Sequence, residues 1–137
     1  MQRIIAIDYG KKRTGLAISD PLRMLATGIK TVETEKLVWE LKQVFLEHEV
    51  DTILLGHPKN LDGTATDITE KVEKVHTQLQ KLFTDKQVLL WDERYTSKMA
   101  FQAMIDSGIS KKARQNKALI DEMSARILLQ GYLDGQR

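Results

Sequence analysis

Apolar and polar positions along the chain change period several times, and each change marks an element. Residues 3–9 (RIIAIDY) are apolar at nearly every position, the pattern of a central strand buried on both faces. Residues 10–15 (GKKRTG) read as a turn and 16–19 (LAIS) as a second strand. So short a connection predicts an antiparallel hairpin. Asp20-Pro21 ends that strand, and a third is expected around 26–33. From 35 to 48 the period becomes helical, with Leu37, Val38, Leu41, Val44 and Phe45 on one stripe. Residues 51–56 (DTILLG) read as a short buried strand, and 57–66 (HPKNLDGTAT) as a polar loop. An amphipathic helix is predicted over 67–83, with Ile68, Val72, Val75, Leu79 and Leu82 in register. Asp67 and Glu70 have the spacing of a capping box at its start. QVLLW, at 87–91, is the last strand expected. Two helical segments, about 97–107 and 117–133, joined by a basic connection after Gly108, complete the chain.

The order is three strands, helix, strand, helix, strand, helices. Right-handed crossovers would make the later strands parallel. The fold predicted is α/β: a five-stranded mixed sheet, its first three strands an antiparallel meander, flanked by helices. A length of 137 residues suits one domain spanning 1–137, with a core that needs no covalent staples.

Composition narrows the chemistry. The chain has no cysteine, which excludes thiol nucleophiles, cysteine-based zinc sites and disulfides. No secretory segment or membrane-spanning apolar run is visible, so a cytoplasmic protein with no membrane partner is expected. A net charge of +2 leaves nucleic acid open as a partner without demanding it. Two basic clusters stand out, Lys11, Lys12 and Arg13, and Lys111, Lys112, Arg114 and Lys117. Either alone reads as a solvated face.

Three acidic positions change the picture. Ligand sites in such sheets lie beyond the carboxyl ends of the parallel strands. Asp8 ends the first buried strand, on the face of Ile4 and Ala6 by period-two alternation. A carboxylate there is unfavourable unless paired, hydrogen-bonded or bound to a cation. Asp92 and Glu93 follow the last strand, and their alternation turns one of the two towards the site. Asp121 shares a helix face with Ser124, Ala125 and Leu128, whereas Glu122 is turned away by roughly 100°. If they converge, carboxylates of this kind suit Mg²⁺ or Mn²⁺ and metal-assisted phosphoryl chemistry. Each acid also fits a plainer role: Asp8 as a turn residue before Gly10, Asp121 near a helix start, and 92–94 as an exposed charge run. Gly10 and Gly15 have P-loop spacing but lack the Lys-Ser or Lys-Thr that follows, so that reading fails. Asp8-Tyr9-Gly10 is also similar to the first phosphate loop of actin-like kinases. Those proteins enclose one nucleotide between two such domains, so an ATP-handling reading fails as well. His48, His57 and His76 have no metal-ligand spacing. His57 ends a strand and fits either a turn or a substrate contact. Trp39, Trp91 and the methionines read as core packing or surface gap-filling rather than as a cofactor box.

Four segments together resemble the signature blocks of the YqgF family, also called RuvX-like: IDYGKKRTGLAISD at 7–20, LLGHPKNLDGT at 54–64, WDERYTS at 91–97 and IDEMSARILLQ at 120–130. The resemblance covers essentially the whole chain in order and implies an RNase H-like fold. It implies an Asp-Glu-Asp metal triad, falling on Asp8, Glu93 and Asp121, that holds Mg²⁺ or Mn²⁺ for phosphodiester hydrolysis leaving a 5′ phosphate and a 3′ hydroxyl. The family often has paired alanines after its third acid; here they are Ser124 and Ala125. Some related resolvases carry a fourth acid, for which Glu122 is the nearest candidate and its direction is wrong. Lys11, Lys12, Arg13 and Arg94 are expected to hold backbone phosphates, with Lys59, Asn60 and Thr64 on a loop that closes over the strand. The activity implied is processing of the 5′ end of pre-16S rRNA, with ribosomal particles as partners. Resolution of branched DNA is the alternative, and a non-catalytic RNA- or ribosome-binding factor a further one. A monomer or weak homodimer is expected; a resolvase cutting two symmetric strands would dimerise, so a monomer would favour RNA processing.

Overall fold

The computed structural model describes residues 2–57, 67–92 and 117–135, with Gln102, Ile105 and Asp106; at 117–119 and 121 only the backbone is described. Five strands, β1 (Arg3–Asp8), β2 (Arg13–Ser19), β3 (Ala26–Glu33), β4 (Val50–His57) and β5 (Gln87–Asp92), form one sheet ordered β3-β2-β1-β4-β5. β2 is antiparallel to β1 and β3, whereas β4 is parallel to β1 and β5. This is the mixed sheet expected, with β1 at its centre. A 3-10 turn (Thr34–Lys36) leads into α1 (Leu37–Glu47); α2 (Asp67–Leu82) and α3 (Lys117–Gly135) follow. No helix among the described residues is long and apolar enough to cross a membrane.

Strand alternation divides the apolar residues into two cores. Ile5, Ile7, Leu16, Ile18, Ile53, Leu55 and Val88 pack with Leu41 and Val44 of α1 and Val72 and Leu79 of α2. On the other face, Ile4, Ala6, Ala17 and Leu54 pack with Ala125, Leu128, Leu129 and Leu133 of α3. The two layers explain why β1 and β4 read as unbroken apolar runs. They also explain the alanines, because Ala6, Ala17 and Ala125 are fully buried where α3 crosses β1 and β2.

The amino end of the sheet is closed by the β2–β3 turn. The Asp20 carboxylate accepts the N–H groups of Met24 (2.7 Å) and Leu25 (3.1 Å). Those bonds, the one from Leu25 foremost, hold its pKa below the ordinary value. Arg23 sits in the left-handed region at φ 57°. Its backbone N–H reaches the Asp20 carbonyl, its Nε the Gln2 carbonyl, and its guanidinium the Asp51 carboxylate. Gln130 of α3 ties the turn down from above, accepting from the Ala26 N–H and donating to the Met24 carbonyl.

Two expectations need correction. β2 begins at Arg13, not at 16, because Arg13 and Thr14 pair with Glu33 and Val32 of β3. Trp39, for which core and surface places were both open, is 60% exposed: it follows Leu37 by two residues, so the helix turns it about 200° away from the buried stripe. Leu82, placed in the α2 stripe by its period, is 47% exposed in the last turn.

Candidate active site

The carboxyl ends of β1, β4 and β5 share one edge of the sheet. Ile7 pairs with Leu55, Gly56 with Trp91, and His57 with Asp92. Asp8 ends β1 at this edge, half-buried, directly opposite Gly15 of β2. The next position on β4 after Leu55 is Gly56, so glycines flank Asp8 on both neighbouring strands. Neither puts a side chain beside the carboxylate, on the face that α3 covers.

α3 runs so that its later turns lie at the start of β3 and its earlier ones farther along. Gln130 bonds to Ala26, and Glu122 packs against Gly28, where a Cβ would stand 2.6 Å from Oε1. The turn carrying Asp121 therefore lies on the Asp8 side of the turn carrying Ala125. Ser124, on the same helix face, is 1% exposed, and its Oγ has no hydrogen-bond partner among the described residues. Glu122 lies over β3, separated from β1 by the width of β2. Glu122 thus faces the sheet, over Gly28 of β3.

His57 belongs to the other face, in step with Ile53 and Leu55, and its Nε2 lies 3.0 Å from Oε1 of Glu73 on α2. That pairing ties β4 to α2. Asp92 follows Trp91, which packs edge-on against Tyr132 on the α3 face. Alternation therefore gives Asp92 to the opposite face, where it is exposed. His76 is a structural tie, its Nε2 3.0 Å from the Val88 carbonyl.

The basic turn leaves the same edge. Lys11, Lys12 and Arg13 are all exposed. Gly10 is obligatory there, since a Cβ would come within 2.3 Å of the Arg13 carbonyl oxygen. Thr34 Oγ1 donates to the Gly10 carbonyl (2.7 Å), and Thr14 Oγ1 lies 2.8 Å from Thr34 Oγ1. The Gly10 N–H reaches Thr14 Oγ1 at 3.5 Å, and the Thr34 N–H donates to the Lys12 carbonyl at 3.0 Å. Thr34 lies outside the four signature segments and Thr14 is not singled out within its own, while the glycine flanks of Asp8 emerge only from strand register.

Glu93, Arg94, Lys59, Asn60, Thr64 and the Asp121 side chain lie outside what is described. Among the described residues no three metal-type side chains cluster. For a hard divalent cation, Asp8 supplies suitable oxygen donors, and the flanking glycines add no side chain of their own beside it.

The family description "RuvX: Holliday junction resolvase" matches residues 2–135. A relative from Flavobacterium johnsoniae, named "Putative pre-16S rRNA nuclease", is 47% identical, covering 100% of this chain and 99% of its own. Relatives of the same name from Flavobacterium psychrophilum and Phocaeicola vulgatus are 49% and 44% identical, covering 97% and 100% of this chain and 97% and 99% of their own. Among solved structures, fowlpox virus resolvase with Holliday junction DNA aligns with a TM-score of 0.61 at 12% identity, over 98% of this chain and 99% of that one. That likeness shows the fold, the RNase H-like arrangement that the family resemblance implies and the strand order matches. Nearly full-length matches at these identities leave one assignment: the chain belongs to the RuvX family.

Proposed function

We propose that this chain is a divalent-metal-dependent nuclease that hydrolyses nucleic-acid phosphodiester bonds, with the 5′ region of pre-16S rRNA as its substrate. The observation that carries the reading is Asp8: a carboxylate at the end of the central strand, between two glycines, on the sheet face that α3 covers. The names of the full-length relatives supply the substrate.

Asp8, Glu93 and Asp121 are the residues assigned to hold Mg²⁺ or Mn²⁺. Leu89 and Trp91 lie on the α3 face, and the next position in that alternation is Glu93, which favours it over Asp92. Asp121 precedes Ala125 by one turn of α3. A bound divalent ion supplies charge stabilisation at phosphorus and lowers the pKa of an attacking water. The chain's own part is to hold carboxylate oxygens at a fixed edge and to exclude bulk from that edge. Lys11, Lys12, Arg13 and Arg94 hold backbone phosphates, and Lys59, Asn60 and Thr64 close over the bound strand.

A cleavage panel tests this with precursor 16S rRNA, unstructured single-stranded RNA and a four-way DNA junction, each with Mg²⁺ or Mn²⁺. Metal-dependent cleavage of the precursor, abolished in Asp8→Asn, is expected. Undiminished cleavage by Asp8→Asn rejects the triad. A second reading, resolution of branched DNA, is favoured by the family description. Preferential cutting of the junction by a dimer would establish it, whereas a monomer acting on RNA supports precursor processing. RNA binding without any metal-dependent product would mark a non-catalytic ribosome-binding factor.

A further inference from the structure

The basic turn after Asp8 owes its shape to a closed ring of hydrogen bonds. Thr34 Oγ1 gives its proton to the Gly10 carbonyl at 2.7 Å. A hydroxyl has one proton, so in the 2.8 Å contact Thr14 is the donor and Thr34 the acceptor. Thr14 Oγ1 in turn accepts from the Gly10 N–H at 3.5 Å. The ring runs Gly10 to Thr14 to Thr34 and back to Gly10, with every donor pointing the same way round. Bonds so arranged polarise and strengthen one another. The Thr34 N–H adds a fourth bond, to the Lys12 carbonyl at 3.0 Å.

Thr34 thus engages the carbonyl oxygens of both Gly10 and Lys12. Those oxygens are two of the groups of the turn that would repel a phosphate. Held towards Thr34 they are occupied, while Lys11, Lys12 and Arg13 are exposed at the edge where Asp8 ends β1. Thr14 is fully buried, so the ring is anchored in the core and the cations are not.

We infer that Thr34 is a positioning residue for nucleic-acid binding, fixing the Lys11–Arg13 turn so that its charges meet the phosphate backbone at the Asp8 edge. This rests on the phosphate-holding role proposed for that turn. Thr34 belongs to the segment that joins β3 to α1, far in sequence from the groups it orders.

The test is binding of a fluorescein-labelled single-stranded RNA by anisotropy in EDTA, which prevents cleavage. Wild type, Thr34→Val, Thr34→Ser and the triple variant Lys11→Ala/Lys12→Ala/Arg13→Ala are compared between about 50 and 200 mM salt. Thr34→Val keeps the side-chain shape and removes the ring. It is expected to bind about threefold or more weakly, with a salt slope shallower by about one phosphate contact. Thr34→Ser, which keeps the hydroxyl, is expected to restore both, and in the metal-loaded enzyme KM rises in Thr34→Val while kcat holds. Wild-type affinity and slope in Thr34→Val, with the triple variant weakened, overturns the inference alone. A triple variant that binds like wild type overturns the role of the turn itself. Equal weakening in Thr34→Val and Thr34→Ser, with lowered melting temperatures in both, marks a purely structural residue and also overturns it.

Discussion

The side chain of Glu122 lies against the backbone of Gly28. A Cβ added at Gly28 would stand 2.6 Å from Oε1 and 2.7 Å from Cγ of Glu122. This contact fixes the rotation of α3, because Glu122 occupies the β3 flank and position 121 comes about 100° earlier around the helix. Gly28→Ala should therefore destabilise the fold by at most about 1 kcal/mol, because the atoms in the way belong to a flexible Glu122 side chain that can swing aside. Glu122→Ala on that background removes the obstructing atoms and should recover most of the loss. Chemical denaturation of the four members of this double-mutant cycle measures the coupling. Additive effects would show that the two residues do not set the helix.

Ser124 presents the opposite case, a buried hydroxyl with no partner among the described residues. Desolvating such a group without a bond is unfavourable by about 1–3 kcal/mol. Ser124→Ala should thus leave stability unchanged or raise it by about 1 kcal/mol, since alanine fits the same space. A fall of more than about 1 kcal/mol in the denaturation free energy would mean that the hydroxyl has a partner that stabilises the fold.

Asp51 governs part of the acid limb. Burial pushes its pKa up, but the hydrogen bond from Arg23, that from Thr52 and the Arg23 charge outweigh burial and hold it below the ordinary 3.8. A depressed carboxyl adds stability above its unfolded pKa and loses that contribution as pH falls through the folded value. Asp51→Asn should then cost about 0.2–1 kcal/mol near neutrality, as for a half-exposed ion pair. Its melting temperature should fall less steeply than wild type as pH drops below about 4. Parallel acid limbs in the two proteins would exclude the linkage. Asp20, depressed by the N–H groups of Leu25 and Met24, keeps part of the slope in both.

How much of this was legible in the sequence depended on the kind of signal. β1 and β4 announced themselves because burial on both faces leaves no polar alternation to misread. The start of β2 did not, since Arg13, Thr14 and Gly15 carry no strand pattern and are strand only by pairing with β3. Trp39 and Leu46, both exposed, show that a large apolar side chain reports the core only in step with its neighbours. At the site, Asp8 stood out as a charge closing an apolar strand, whereas the contact of Glu122 with Gly28 gave no periodic signal. His57 was ambiguous as a turn residue, although its parity with Ile53 and Leu55 already assigns it to the α2 face. The flanking glycines and the Thr14–Thr34 ring join residues distant in sequence, so periodicity could not reveal them.

The central claim is that Asp8, Glu93 and Asp121 share a divalent cation and Glu122 does not. Mn²⁺ titration followed by electron paramagnetic resonance tests it directly on wild type, Asp8→Asn, Glu93→Gln, Asp121→Asn and Glu122→Gln. Affinity should fall by about tenfold or more in the first three variants and stay at the wild-type value in Glu122→Gln. Wild-type affinity in Asp8→Asn, or a loss confined to Glu122→Gln, would contradict the account.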